Sequence, residues 1–143
     1  MANIQAPGRL AATIRETYRQ LKQMVDAQHS GLKLSVGARF QANNSDEIIV
    51  THTGHDATMM RGTAVKHVHN MSIICFSKSY VSAAELADDV FETFSIQNSF
   101  AFDLLPDVQC VFYADSQNMY YTDEDDFAVA VNIRALVTDS TNI

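Results

Sequence analysis

Cysteine is scarce, with two residues in 143, which excludes a framework of several disulfides. Both lie in apolar runs, Cys75 in SIICFS and Cys110 in VQCVFY, where a thiol packs as a small hydrophobe. No apolar run is long enough to span a bilayer, and no charged n-region, apolar h-region and small-residue cleavage site follow one another at the start. Residues 9 to 22 carry Arg9, Arg15, Arg19 and Lys22 like a transit peptide, but Glu16 and a long polar face suit an ordinary helix better. The expectation is a soluble cytosolic protein without a membrane partner. Also missing are a GxSxG elbow, a glycine-rich phosphate loop, a Cys/His pair at a catalytic spacing, internal repeats and low-complexity tracts. Nothing in the pattern therefore points to catalysis, and no catalytic residue, metal ligand or cofactor is assigned.

Basic charge is missing from one whole region. Between Tyr80 and Ala130 there is no lysine or arginine. Residues 1 to 78 hold nine basic against five acidic side chains, a balance of +4, whereas residues 79 to 143 hold one against twelve, a balance of −11. A clustered basic footprint of the kind that neutralises phosphates is not visible, so tight nucleic-acid binding is disfavoured. Two readings of the split remain: a plainly solvated acidic surface, or flanks of opposite sign that meet between copies of the chain. A head-to-tail contact of the second kind closes into a ring where the rotation permits.

What is present is organised around AVKHVHNMSIICFSKSYVSAAELADDVFETF, residues 64 to 94. His69, Met71, Ile73 and Cys75 alternate with Val68, Ser72, Ile74 and Phe76, which is the period of a strand. Ser82 followed by Glu85 reads as a capping box, and Leu86, Ala87, Val90, Phe91 and Phe94 then recur at helical spacing, leaving Asp88, Asp89 and Glu92 to water. A strand feeding such a helix requires a sheet beneath it.

The remaining elements follow in order. A helix is expected from about Pro7 to His29, with Leu10, Ile14, Tyr18, Leu21 and Val25 as its apolar stripe and Gly31 as its stop. LKLSVGARF and the run Ile48, Ile49, Val50 read as two strands joined by a turn at Asn43, Asn44, Ser45, Asp46. THTGHDATMMRG, residues 51 to 62, reads as a loop or an extended hairpin tip. SIQNS and FAFDLLPD form an irregular link, VQCVFYAD a strand, SQNMYYTDEDD a turn region and FAVAVNIRALVT a strand with Phe127, Val129, Val131, Ile133 and Val137 on one face. With 47% apolar residues, the chain fits one domain over 1–143, of α+β class, with a mostly antiparallel sheet and two helices packed on one face.

Three groups of side chains carry candidate roles. His52, His55, His67 and His69 fall within eighteen residues, and an H-x-H pair on a strand can offer two nitrogens to zinc; no third ligand has a fixed spacing, so ordinary surface or partly buried histidines are the preferred reading. Asp123, Glu124, Asp125 and Asp126 lack the alternating spacing and glycine of a calcium loop and read as a solvated turn. Adjacent Met59 and Met60 are either core plugs or an adaptable contact surface.

The N-terminal helix, the strands before Arg61, the ICFSKS strand end with YVSAAELADDVFETF after it, and the closing FAVAVNIRALVT together resemble the tail terminator, or tail-completion, proteins of long-tailed bacteriophages. The likeness is one of element order and length over most of the chain and includes no catalytic or binding motif. It implies a structural virion protein of the tail and neck, assembled in the host cytoplasm as a homo-oligomer, commonly a hexameric ring. Such a ring sits on the last ring of the tail tube protein, meets a head-side connector or stopper protein, and encloses the channel through which DNA passes. Candidate assembly contacts are Met59, Met60, Arg61, Asp123, Glu124, Asp125 and Asp126. The competing readings are another neck or connector component, a small metal-dependent enzyme using the four histidines, and a ligand-binding module with a pocket between helices and sheet.

Overall fold

The computed structural model describes residues 10–37, 46–60, 63–95, 99–102, 105–121 and 126–139. In chain order the elements are α1 (Leu10–Gln28), β1 (Lys33–Val36), β2 (Glu47–Met60), β3 (Thr63–Ser77), α2 (Tyr80–Ser95), β4 (Ser99–Phe102), β5 (Leu105–Tyr121) and β6 (Phe127–Asp139). The six strands form one sheet in the order β1-β2-β3-β6-β5-β4, antiparallel at every pairing except β1 with β2. This is the expected α+β class.

The central unit sits where the alternation put it. His67, His69, Met71, Ile73 and Cys75 of β3 and Val129, Val131, Ile133, Ala135 and Val137 of β6 are buried on one face, beneath Leu21, Met24 and Val25 of α1 and Ala83, Leu86, Ala87, Val90 and Phe94 of α2. Both helices thus lie on the same face. Phe94 meets Phe112 of β5 edge to face, centroids 5.2 Å apart at 72°. The helices are tied to each other by His29 Nε2 and Asp89 Oδ2 at 2.5 Å. A smaller apolar cluster, Ile49, Phe76 and Ala128 with Ile74 against it, lies on the opposite face.

Several expectations are corrected. Along the first half of α1 the buried positions are Thr13, Glu16 and Thr17, while Ile14 and Tyr18 are half-buried and Leu10 is exposed. Polar groups are tolerated there because each is satisfied locally. Thr17 Oγ1 donates to the Thr13 carbonyl at 2.8 Å and lies 3.3 Å from Met71 Sδ, and the Glu16 carboxylate accepts from Arg19 Nε at 3.0 Å and Gln20 Nε2 at 3.2 Å. The stripe then rejoins the expected one at Leu21 and Val25. Gly31 does end the turn, at φ +90°, a conformation that disfavours any side chain. Pro7 lies outside the described residues.

The strands at 32–36 and 47–50 are no hairpin. Lys33 to Val36 pair in parallel with Glu47 to Val50, which a tight turn cannot connect; of the proposed turn, Asn43, Asn44 and Ser45 lie outside the described residues. Of the two readings of residues 51 to 62, the hairpin holds for the described part, since β2 continues to Met60 against β3 with register shifts after His52 and after Thr58. The link at 95–107 contains β4, paired with β5, and Pro106 falls in the stretch where the register jumps from Ala101↔Gln109 to Phe102↔Leu105, a place that spares a ladder hydrogen bond. SQNMYY is strand as well: Ser116 to Tyr121 pair with Asn132 to Phe127.

The cap of α2 is Ser79, not Ser82. Its carbonyl accepts the first helical bond from Ala83 N at 3.0 Å, and its Oγ accepts from Ser82 N at 3.4 Å. The helix therefore starts three residues earlier than the capping-box reading. Ser79→Ala is expected to cost about 1 kcal/mol of stability, whereas Ser82→Ala, which removes no cap, stays within about 0.5 kcal/mol. Urea midpoints of the two variants check this, and the reverse ranking would restore Ser82 as the cap.

Candidate functional site

Met59 and Met60 form the last two positions of β2, opposite Ala64 and Thr63, just beyond the last pairing of β3 with β6 at Lys66. Arg61, Asp123, Glu124 and Asp125 lie outside the described residues. Asp126 departs from the solvated-turn reading: at 2% exposure it is buried immediately before β6. The structure thus does not gather the described residues of this set into one cluster: Met59 and Met60 close β2 at one end of the sheet, and Asp126 precedes β6 at the other. At one end Met60 faces Thr63 and Lys66 faces Thr138; at the other Ser77 faces Phe127 and Tyr121 faces Phe127.

The helix-free face of the sheet is mostly polar toward its centre. Thr51, Thr53, Asn70, Ser72, Ser116, Asn118, Asn132 and Arg134 stand there with side chains half-buried or exposed. Thr51 and Thr53 hydroxyls donate to the Ser72 and Asn70 carbonyls, and Asn132 Nδ2 donates to Ser116 Oγ at 2.9 Å. Sequence reasoning placed only Asn132 and Arg134 of these, on the far face of the last strand, although the alternation that fixes the core face fixes the others too. It also missed the exposed apolar side chains Val36 on β1 and Tyr80 and Val81 at the opening of α2, the latter two 58% and 61% exposed.

Three of the four histidines do come together, on the helix-covered face. His52 Nε2 lies 2.9 Å from His69 Nδ1, and the His67 and His69 rings stack with centroids 6.5 Å apart. His67 and His69 are buried, so the surface reading fails for them and the buried one holds. His55 faces His69 in the backbone register. Among the described residues no group of three or more His, Cys, Asp or Glu side chains has a geometry that could hold a metal ion.

The two thiols are core groups. Burial, reinforced by Asp89 for Cys75 and by Glu16 for Cys110, pushes both well above the ordinary thiol range, so neither is a thiolate at neutral pH. Among the described residues no helix is long and apolar enough to cross a membrane.

No protein-family model and no curated protein matches this sequence. Solved structures do match the fold. One is a chain from the virion of a native gene transfer agent particle, aligned over 93% of this chain and 99% of that one with a TM-score of 0.61 at 12% identity. A second solved chain aligns over 90% of this chain and 95% of its own, with a TM-score of 0.63 at 11% identity.

Proposed function

We propose that this chain is a structural, non-enzymatic virion protein: a tail terminator of a phage-like particle, whose copies form a ring, six in number, that caps the tail tube and joins it to the head-side connector or stopper. Its place is the tail and neck of a virion assembled in the host cytoplasm. The observation that carries this reading is the near end-to-end agreement of the backbone with a chain of a virion particle, covering 93% of one and 99% of the other.

Two features support the finer role. The charge balance of +4 for residues 1 to 78 and −11 for residues 79 to 143 gives neighbouring copies complementary flanks. The helix-free face offers hydroxyls and amides with Arg134 as its charged group among the described side chains just named, a lining that neither grips nor strongly repels DNA passing through a lumen. Met59, Met60, Arg61 and Asp123 to Asp126 are the proposed contacts with tube, connector or neighbouring copies.

Light scattering tests the reading. At 50 mM salt the particle is expected near 95 kDa, six copies of the 15.9 kDa chain. It is expected to shift toward monomer at 1 M, where the Debye length falls to about 3 Å. A 15.9 kDa species at every salt and protein concentration, with and without tail tube protein, would sink it.

A further inference from the structure

Among the described residues both outer flanks of the sheet are half covered, and the halves without a described neighbour lie on a diagonal. Strand β1 pairs with β2 only over Glu47 to Val50, and β4 pairs with β5 only from Leu105 to Val111. Among the described residues no strand pairs with the outer edge of β2 at 53 to 60 or of β5 at 112 to 121. Each open stretch begins beside a bulge, at Thr53 on β2 and Asp115 on β5, where the register with the inner neighbour slips by one. Edges along which no described strand lies offer backbone groups to another strand, and bulges add the twist that curves a sheet.

We propose that successive copies of this chain join edge to edge, residues 53 to 60 of β2 in one copy pairing antiparallel with residues 112 to 121 of β5 in the next, so that the sheets become continuous around the ring. The proposal rests on the ring reading above and names the surface that closes it. Direction fits, because β2 and β5 run oppositely within one sheet and copies standing the same way up therefore meet antiparallel.

The diagonal offset fits a closed ring quantitatively. Asp56, mid-way along the open part of β2, shares a row with Val68 of β3 and Leu136 of β6, while Gln117, mid-way along the open part of β5, shares one with Val131 of β6 and Ile73 of β3. On β3 and β6, which are regular between these rows, they are five residues apart, about 17 Å at 3.3 Å per residue. Each copy adds four strands to the continuous sheet, about 19 Å at 4.8 Å per strand. The ratio inclines the strands by about 40° to the ring axis, inside the 35–45° range at which closed sheets are built. Edges facing each other at one height would instead give upright strands.

Disulfide trapping tests the pairing. Asp56, Ser116 and Asn118 are exposed on strands whose bulges aim them to the helix-free face. Asp56→Cys combined with Ser116→Cys, or with Asn118→Cys, places two thiols across the proposed seam, while within one chain β3 and β6 separate them by more than a disulfide can bridge. Cys75 and Cys110 are buried and do not compete. On mild oxidation at least one pair is expected to give a ladder of covalent multimers up to the ring, with Asp56→Cys plus Glu92→Cys, on the far side of α2, giving none. A ring-sized particle that yields no ladder with either pair, or links only to tail tube protein, overturns the edge pairing and leaves the ring reading standing. Absence of any ring-sized particle of the unaltered chain, alone or with tail tube protein, overturns both.

Discussion

Phe94→Ala is expected to remove about 4 kcal/mol of unfolding free energy, the largest loss of any truncation considered for this chain. The side chain is 1% exposed and projects from the last turn of α2 into the main core. Its ring meets Phe112 edge to face, an arrangement that contributes roughly 0.5–1.5 kcal/mol beyond the area it buries. The rest is the transfer of the phenyl group to water plus a cavity that Phe112 on β5 and the neighbouring turn of α2 can only partly fill. Against a total stability of roughly 5–15 kcal/mol for a small domain, such a loss brings the folded state close to its limit. Phe91, three residues earlier and half-buried, is expected to cost about 2 kcal/mol at most on the same substitution. The check is a urea titration in which the midpoint falls while the slope is unchanged. A Phe94→Ala loss below about 1 kcal/mol would mean that α2 is not anchored at this end.

Phe94 also shows what could be read from the chain alone. Wherever one face of an element meets the core, the period of its apolar residues is dictated by that contact, so β3, α2 and β6 were legible in detail, down to Ile73, Val90 and Ile133. Legibility was lost where polar residues are satisfied by neighbours that only the fold supplies. Thr13, Glu16 and Thr17 look like the wet side of α1 until the Met71 sulfur and the Arg19 and Gln20 side chains are in place. Ser116, Gln117 and Asn118 look like a turn, yet a strand with one face in water keeps such residues when its ladder to β6 is intact. Parallel pairing of β1 with β2 leaves no local mark, since Leu32 and Leu34 alternate identically in either direction. The edges proposed to join copies were the least legible part, because strand edges are made of backbone, and backbone carries no sequence.

His69→Ala is expected to cost about 3 kcal/mol, and the cost is expected to be the same with chelator and with zinc. The imidazole is fully buried beside Met71 and opposite Ala135, and its Nδ1 shares a hydrogen bond with His52 Nε2 at 2.9 Å. Truncation opens a cavity in a packed layer and takes that partner from the half-buried His52, while His52→Ala, which leaves less volume unfilled, is expected to cost about 1 kcal/mol. The two substitutions share one bond, so the double variant should lose less than the sum of the singles by about 1 kcal/mol. Zinc separates this reading from the metal-dependent enzyme that the histidine spacing also suggests. A folded-state site whose Kd is one-hundredth of the zinc concentration used would raise the stability of the unaltered chain by about 2.7 kcal/mol, and His69→Ala would abolish that gain. A thermal midpoint that does not move between chelator and zinc, together with the coupling between His52 and His69, assigns the cluster to holding β2 against β3. Strand β2 ends at Met59 and Met60 and carries the edge proposed to meet the next copy, so a zinc-dependent shift would move the reading of this chain away from assembly and toward metal binding.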